Sequence, residues 1–230
     1  ATAVLADGAP QRRNRYEPRT RGSAEEIAEA VELLANAKAP VIYSGGGVIN
    51  SGPGASQLLR DLQALTGAPL TSTLMGLGAF PANHPDWLGM LGMHGTYEAN
   101  MAMNQADLIV CVGARFDDRV TGRLDAFAPN SVKIHIDIDR SSINKTVPVD
   151  LPIVGDCGQV LEQIISAWGA RKPKDLSGWK ARIAEWRKRD SLAFPLNPQA
   201  IMPQLAVQRL YELTKHRDPI IATEVGQHQM

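Results

Sequence analysis

The chain alternates between short apolar runs and longer stretches in which apolar residues recur every three or four positions. The short runs are PVIYS from Pro40, PLTST from Pro69, DLIVCVG from Asp107, VKIHIDID from Val132 and PIVGD from Pro152. Each run predicts a strand, and the stretches of helical spacing predict helices. Strands that alternate with helices indicate an α/β fold, with a doubly wound parallel sheet and helices on both of its faces.

Local signals place several of the helices. Ser23 followed by Glu26 matches a capping box, which predicts a helix to about Ala37. A glycine turn at 45–47 is expected to lead into another helix, and a long loop is expected to extend to a helix near Tyr97. The apolar positions of two of these helices are Leu58, Leu59, Leu62 and Leu65, and Val160, Leu161, Ile164 and Ile165.

Changes of composition divide the chain into four parts. These are an Arg- and Pro-rich linker at 1–22, an α/β domain at 23–170, a basic linker at 171–197, and the start of a second α/β domain at 198–230. The chain lacks an initiator Met and stops soon after PIIATEVG, which predicts a strand. We therefore expect it to be a piece of a longer polypeptide.

The basic linker contains eight basic and three acidic residues in RKPKDLSGWKARIAEWRKRD. It predicts one amphipathic helix that carries Ile183 and Trp186. Arg and Trp at helical spacing favour packing against a neighbouring domain over RNA binding. Beyond this segment, Asn197 and Pro198 have the residue types of an N-cap and a first helical position, so a further helix is expected to begin there.

Composition and charge narrow the function classes. The 24 Lys and Arg residues balance the 24 Asp and Glu residues, which excludes a strongly basic nucleic-acid-binding protein. The 44% of hydrophobic residues suffices for a normal core, but no apolar run approaches the roughly 18 residues that a membrane span needs. Cys111 and Cys157 lie far apart without a CxxC spacing or a His cluster. Neither a disulfide framework nor a metal site is indicated, and a reduced, cytoplasmic setting is expected.

Gly and polar residues follow four of the predicted strands. The loops are SGGG at 44–47, TSTLMGLG at 71–78, VGARFDDR at 112–119 and DID at 137–139. The carboxyl ends of parallel strands share one edge of the sheet, and glycines there allow backbone N–H groups to approach a phosphate. No GxGxxG follows the first strand, so a standard NAD site is not indicated. The loops predict a site for a nucleotide-like ligand.

The strand from Val132 presents three polar side chains, His135, Asp137 and Asp139, on one face. An acidic residue at the end of such a strand is the usual partner of a ribose hydroxyl, which gives Asp137 or Asp139 a nucleotide role. A helix cap for the following SSINK is an equally good interpretation of Asp139.

The loop at 112–119 and one further segment carry residues that could meet the same ligand. Arg115 and Arg119 flank an aspartate pair at 117–118, so their guanidinium groups could bind phosphate or carboxylate, or could pair with the aspartates on the surface. The segment GMLGMHGTYEAN at 89–100 has flexible Met side chains, glycines and a His that suit a flat ring system. Core packing is the commoner role for a lone Met or His.

At these loops the sequence resembles the large-subunit family of acetolactate synthase (acetohydroxyacid synthase), which uses thiamine diphosphate in branched-chain amino-acid biosynthesis. The stretches that carry the resemblance are VIYSGGGV, TLMGLGAFP, LGMHGTYEAN, VGARFDDRVTG, HIDID with INK, VGD and the terminal TEVGQHQM. They cover about residues 20–230. That family has three α/β domains, so the resemblance implies that the chain holds the central domain and the opening of the third.

The resemblance also implies roles for individual residues. The family binds FAD largely through its central domain, and the matching positions are Gly45, Gly46, Gly47, Thr73, Leu74, Met75, Met93, His94, Gly95, Gly113, Ala114, Arg115, Asp117, Val120, Asp137, Ile138, Gly155 and Asp156. The glycines at 45–47 would approach the phosphates or sugar, and 93–95 would lie beside the isoalloxazine ring. Arg119 matches an arginine that receives the carboxylate of the second 2-oxo acid. The start of the thiamine diphosphate site matches Gln227, His228 and Met230.

The family reaction decarboxylates pyruvate and joins the product to a second pyruvate or to 2-oxobutyrate, while FAD does no net redox work. The thiamine-activating glutamate and the Mg²⁺ motif of the family match nothing here, so the isolated chain is expected to be inactive and to hold no metal ligands.

The resemblance implies a dimer or tetramer, with a regulatory small subunit as a further possible partner, and neither nucleic acid nor membrane. The alternatives are glyoxylate carboligase, oxalyl-CoA decarboxylase with ADP in this domain, or a nucleotide-binding module without chemistry.

Overall fold

The computed structural model describes residues 17–223 and Gly226. The first sixteen residues of the predicted N-terminal linker lie outside this part of the chain, as do Gln227, His228 and Met230. The predictions made for those positions therefore stay predictions.

Six parallel strands form one sheet. They are β1 (Pro40–Ser44), β2 (Leu70–Ser72), β3 (Trp87–Met90), β4 (Leu108–Val112), β5 (Val132–Asp137) and β6 (Leu151–Val154). Their order is β3-β2-β1-β4-β5-β6, so the chain builds one half of the sheet outward from β1 and the other half outward from β4. The predicted doubly wound parallel sheet is confirmed.

Helices cover both faces of the sheet. They are α1 (Ala24–Asn36), α2 (Gly46–Asn50), α3 (Pro53–Thr66), α4 (Tyr97–Gln105), α5 (Asp118–Thr121), α6 (Cys157–Trp168), α7 (Ser177–Arg187) and α8 (Pro203–Thr214). One buried cluster joins α1, α3 and α6 to the sheet, and a second joins α4 and α7 to its opposite face. Strands β1 and β4 are buried along their whole length, which explains why they are apolar runs without alternation. No helix within residues 17–223 is long and apolar enough to cross a membrane.

The helix signals in the sequence act as expected at several ends. At α1, the Ser23 hydroxyl accepts a hydrogen bond from the Glu26 N–H, and the Glu26 carboxylate accepts one from the Ser23 N–H. Helix α3 has Pro53 in its first turn and ends at Gly67, whose φ of 67° is the left-handed conformation that glycine adopts readily. These caps satisfy backbone groups that the ends of a helix leave unpaired.

Two elements replace parts of predicted loops. The glycine run does more than turn the chain, because Gly46 begins the short helix α2. The loop predicted before Tyr97 contains β3, an edge strand of four residues that pairs with β2 through an irregular register. Its third residue, Gly89, has a φ of 88°. A strand this short, interrupted by a left-handed glycine, does not produce a recognisable alternation of apolar and polar residues.

The predicted start of the last helix was wrong by five residues. Helix α8 begins at Pro203, which occupies the first turn, whereas the Asn197 side chain accepts a hydrogen bond from the Gln199 N–H and forms a turn. Both prolines satisfy the rule for a first helical position, and only the second one is used. The predicted strand PIIATEVG is not formed over 219–223, the part of it that the structure describes continuously.

Helix α7, inside the segment interpreted as a basic linker, packs onto the sheet. Trp179 and Ile183 are buried, and the Trp179 indole N–H donates to the Pro40 carbonyl at 3.1 Å. Lys180 pairs with Asp86 at 2.8 Å, and the Arg187 guanidinium donates to carbonyl oxygens beside and within β3. These cations therefore serve to cover an edge strand, which agrees with packing rather than RNA binding.

Replacing Ile183 with Ala tests whether α7 is part of the folded module. Because the side chain is buried against the sheet, we expect a loss of about 2–4 kcal/mol in the free energy of unfolding, measured by urea denaturation. Leu192→Ala, a change of an exposed side chain after α7, is the control and should stay within about 0.5 kcal/mol of the wild type. Equal stabilities for the two variants would show that α7 is not anchored.

Candidate functional site

A groove lies at the carboxyl edge of the sheet, where the strand order reverses between β1 and β4. Loops that follow neighbouring strands diverge at this point, and doubly wound folds bind ligands there. The main cavity has a volume of about 680 Å³. A second cavity of about 280 Å³ adjoins it and shares Gly47, Asn50, Gly113 and Arg115 in its lining. Their sizes suit a ligand with two parts.

The floor of the groove is a contact between two main chains. A Cβ atom on Gly47 would lie 2.6 Å from the Gly113 Cα, and a Cβ on Gly113 would lie 2.7 Å from the Cys157 Sγ. The Gly47 N–H donates to the Gly113 carbonyl at 2.9 Å, and the Gly45 N–H donates to Val112. Gly113 also has a φ of 59°. Glycine is required here because no side chain fits between the two loops.

These hydrogen bonds change the role expected for the glycine run. The N–H groups of Gly45 and Gly47 are used inside the protein, so they are not available to a phosphate. What the run offers a ligand is close approach to a bare backbone at Gly46 and Gly47, which both line the main cavity.

Large apolar side chains form the wall of the groove that faces solvent. Leu74, Met75 and Met93 are 59%, 74% and 66% exposed, and all three line the main cavity. Thr73 positions the first two, since its hydroxyl accepts from the Gly76 N–H while its own N–H donates to the Ser44 carbonyl. Exposed apolar groups around a cavity favour a ligand with a flat apolar part.

Two arginines line the main cavity, and they differ in their partners. Arg115 pairs with Asp117 at 3.0 Å, so the ion-pair interpretation is confirmed for this residue. The guanidinium of Arg119 has no ion pair or hydrogen bond with any residue in 17–223. The main chain of Arg119 is fixed, because its carbonyl accepts from the Met93 N–H at 3.1 Å. A fixed backbone with an unpaired guanidinium suits recognition of a carboxylate or phosphate.

The two aspartates at the end of β5 have different roles. Asp139 caps the turn Arg140–Ser142, and hydrogen bonds from Ser141 lower its pKa, so the cap interpretation is confirmed. Asp137 lines the second cavity, where one oxygen accepts from the Asp139 N–H at 2.8 Å. Burial raises the pKa of Asp137. Asp137 is thus the carboxylate placed to accept from a ligand hydroxyl.

Asp156 closes the far end of the second cavity. Its carboxylate caps α6 by accepting from the Gln159 N–H at 3.1 Å and also accepts from the Ser51 hydroxyl at 2.6 Å. The Ser51 oxygen in turn accepts from the Gly158 N–H at 2.9 Å. This network fixes the end of α2 against the start of α6, so its main effect is to shape the cavity.

The structure brings most of the predicted site residues together. Those that line one or both cavities are Gly46, Gly47, Thr73, Leu74, Met75, Met93, His94, Gly113, Ala114, Arg115, Asp117, Arg119, Val120, Asp137, Ile138 and Asp156. Gly45, Gly95 and Gly155 do not line them. A Cβ on Gly45 or Gly95 would lie 2.2 Å from a backbone carbonyl oxygen, and one on Gly155 would lie 2.6 Å from a Val160 methyl, so these glycines serve close packing.

Sequence reasoning missed several lining residues. They are Tyr43, Ile49, Asn50, Ser51, Leu91, Ser142 and Cys157, whereas Met90, expected with Met93 to meet a flat ring, does line the main cavity. Asn50 and Ser51 end the unforeseen helix α2, and this polar pair, two residues beyond the glycine run, was a usable signal. Burial raises the pKa of the Cys157 thiol to about 12, which removes it as a nucleophile. No cluster of His, Cys, Asp and Glu in the described part of the chain could hold a metal ion.

The sequence matches one family model and the large subunits of one kind of enzyme from several organisms. Residues 27–164 match the family model described as thiamine pyrophosphate enzyme, central domain. The chain is 48% identical over 219 residues to the acetolactate synthase isozyme 3 large subunit of Escherichia coli K12, covering 94% of this chain and 38% of that protein. It is 46% identical over 216 residues to the acetolactate synthase large subunit of Buchnera aphidicola from Schizaphis graminum, covering 94% and 37%. With a probable acetolactate synthase large subunit of Methanocaldococcus jannaschii, the identity is 44% over 220 residues, covering 94% and 37%. The chain thus spans under two fifths of these relatives.

Gly113→Ala tests the contact at the floor of the groove. The new methyl would meet the Gly47 backbone, and its φ is unfavourable for alanine, so we expect a loss of about 2–4 kcal/mol in the free energy of unfolding. Gly67→Ala is the control for the backbone cost, since Gly67 has a left-handed φ of 67° and a built Cβ there would approach no atom closer than 3.9 Å. Its loss should be about 1–2 kcal/mol, from the backbone alone. Equal losses in urea denaturation would contradict the close contact.

Asp137→Asn tests the partly buried carboxylate in the second cavity. A folded-state pKa above the usual value means that folding favours the protonated acid, so ionisation destabilises the fold as pH rises above 3.8. We expect Asp137→Asn to be more stable than the wild type at pH 7 and to lose that advantage near pH 3, where the wild-type acid is protonated. Thermal unfolding at both pH values measures this. An advantage that persists unchanged at pH 3 would show that it does not come from ionisation.

Proposed function

Because the chain belongs to the thiamine pyrophosphate enzymes, with residues 27–164 matching their central domain, we propose that it is part of an acetolactate synthase large subunit whose groove binds FAD. The observation that carries the proposal is the similarity to acetolactate synthases along 94% of the chain, at 44–48% identity. Since the chain covers only 38% of the Escherichia coli relative, turnover is assigned to a longer polypeptide, and the chain alone is expected to be inactive.

The groove fits FAD in size and in chemistry. The main cavity, with Leu74, Met75 and Met93 on its wall, suits the apolar isoalloxazine ring. Gly47 lines both cavities and Gly46 lines the main one, so their bare backbone allows the pyrophosphate to come close. The smaller cavity suits the adenosine half of FAD.

Within the smaller cavity, Asp137 stands at the end of β5. This is the position from which an acidic side chain binds a ribose hydroxyl in doubly wound folds. The second oxygen of its carboxylate, which is not the acceptor for Asp139, lies 3.9 Å from the His135 Nε2. That oxygen is the one we assign to the ribose.

The proposed reaction joins pyruvate to a second 2-oxo acid, either pyruvate or 2-oxobutyrate. When bound, thiamine diphosphate would supply the electron sink for decarboxylation, whereas FAD would contribute no net redox step. In this chain, the Arg119 guanidinium would bind and orient the carboxylate of the second 2-oxo acid. The apolar side chains of Met75 and Met93, which line the same cavity as Arg119, would exclude water from the site of the bound 2-oxo acid.

The remaining ligands belong to the proposed longer enzyme. Gln227, His228 and Met230 are assigned to thiamine diphosphate by resemblance, and Mg²⁺ is assigned to residues that this chain does not supply. We also propose a homo-oligomer, dimer or tetramer, with a regulatory small subunit as a possible partner and the cytoplasm as its location. Helix α8 supports an assembly, since Leu210, Tyr211 and Leu213 are all exposed.

Ligand release tests FAD binding directly. The purified chain is incubated with an equimolar mixture of FAD, ADP and NAD, desalted and heated, and the released ligand is identified by mass spectrometry. We expect FAD. Recovery of ADP or NAD without flavin would contradict the proposal, and ADP would favour a relative of oxalyl-CoA decarboxylase.

The variant Met75→Glu sharpens this test. It places a negative charge on the exposed wall of the groove without touching the core, so it should weaken FAD binding at least tenfold, because a charged group would replace an apolar side chain beside the isoalloxazine ring. Leu192→Glu puts the same charge on an exposed position away from both cavities and should leave the Kd unchanged. Flavin fluorescence titration gives both values.

A further inference from the structure

Three buried polar side chains lie side by side across the central strands. Tyr43 of β1 pairs in register with Cys111 of β4, and Cys111 pairs in register with His135 of β5. All three residues are fully buried, and because they are register partners they lie on the same face of the sheet. We call Tyr43, Cys111 and His135 the donor row.

Each member of the donor row donates to the same loop. The His135 Nε2 lies 2.8 Å from the Ala114 carbonyl oxygen, and the Cys111 Sγ lies 3.1 Å from that same oxygen. The Tyr43 hydroxyl donates to the carbonyl of Arg115 at 3.3 Å. Three strands therefore hold two successive peptide groups of the loop that follows β4.

Burial keeps these groups in their donating forms. Desolvation raises the pKa of Tyr43 and of Cys111, and it lowers the pKa of His135. Tyr43 and Cys111 keep their protons at neutral pH, and His135 stays neutral. A neutral imidazole that donates from Nε2 has an unprotonated Nδ1.

The loop held in this way carries the charged side chains of the groove. Arg115, Asp117 and Arg119 all line the main cavity. Asp117 is the N-cap of the single-turn helix α5, but its side chain makes no capping hydrogen bond. The start of this loop is thus held by the main-chain bonds at Ala114 and Arg115, and its end by the bond from the Met93 N–H to the Arg119 carbonyl.

A histidine at position 135 leaves one buried nitrogen without a hydrogen bond within residues 17–223. Its Nδ1 is buried and has no hydrogen-bond partner among the described residues. A buried acceptor without a hydrogen bond lowers the stability of the fold, and an apolar ring of similar size would avoid that loss. The Phe116 ring centroid lies 5.3 Å from that of His135, so an apolar ring at position 135 would have an aromatic neighbour. The donor at Nε2 is what distinguishes histidine here.

We propose that His135 is a positioning residue, which fixes the Ala114 carbonyl and thereby places Arg115 and Arg119 at the groove. Tyr43 and Cys111 assist it from the neighbouring strands. The proposal rests on the proposed function insofar as the groove binds FAD, but the position of the loop is a property of the chain without any ligand.

The test compares two replacements of His135. His135→Phe keeps an aromatic ring and removes the donor, whereas His135→Gln supplies an N–H at about the distance of Nε2. Amide hydrogen exchange over residues 113–119 and the Kd for FAD are measured for both. We expect exchange to be at least tenfold faster, and the Kd at least tenfold higher, in His135→Phe. In His135→Gln both should stay within about threefold of the wild type.

Lys133→Met is the matched control. Lys133 lies on the same strand and face, is buried, and donates to the carbonyls of Ala128 and Ser131 at the opposite end of β5. Its loss should lower the melting temperature without changing exchange over 113–119 or the Kd. Similar effects of Lys133→Met and His135→Phe on the loop would overturn the positioning role, because they would show a general loss of stability.

Three further outcomes are decisive. Unchanged exchange over 113–119 in His135→Phe would overturn the proposal. If that variant does not fold, Tyr43→Phe removes a single hydroxyl of the donor row and should speed exchange of the same loop severalfold, and an unchanged rate would again overturn it. A wild-type chain that binds no FAD would refute the proposed function, while the exchange measurement would still decide the role of His135.

Discussion

The groove depends on the close approach of two main chains where the strand order reverses. The loops after β1 and β4 touch at Gly47 and Gly113, where neither residue has room for a Cβ atom. The Gly47 N–H to Gly113 carbonyl bond extends the pairing of β1 and β4 beyond the ends of both strands. Beyond this contact the two loops diverge and leave the main cavity between them. A side chain at either glycine would push the strands or the loops apart.

The electrostatics of the groove follow from what each charged group already contacts. Arg115 is paired with Asp117, and Asp139 caps a turn, whereas Arg119 has no partner in residues 17–223. Beneath the loop, neutral donors rather than charged groups hold the backbone, which avoids burying a charge. The arrangement leaves one guanidinium, that of Arg119, and one partly buried carboxylate, that of Asp137, facing the two cavities. A ligand with an anionic centre and a hydroxyl-bearing sugar matches that pair.

Much of the fold could be predicted from the sequence because the central strands are strongly apolar. β1, β4 and β5 are buried runs flanked by helical periods, and their order along the chain implies parallel pairing. Edge strand β3 could not be predicted, since Gly89 interrupts its four residues. The start of α8 could not be decided either, because Pro198 and Pro203 satisfy the same local rule and tertiary context selects between them.

The site was predictable to the extent that loops at one edge must converge. The sequence could not separate glycines that face a ligand from Gly45, Gly95 and Gly155, which serve packing, because both kinds are small for the same reason. It also could not show that two glycine N–H groups are already used. The most direct measurement for the groove is an NMR titration of the ¹⁵N-labelled chain with FAD. We expect amide shifts to change at 46–51, 73–76, 113–120 and 137–138. Changes clustered at the opposite edge of the sheet, around Asp107, or no changes at saturating FAD, would contradict the proposal that the groove binds FAD.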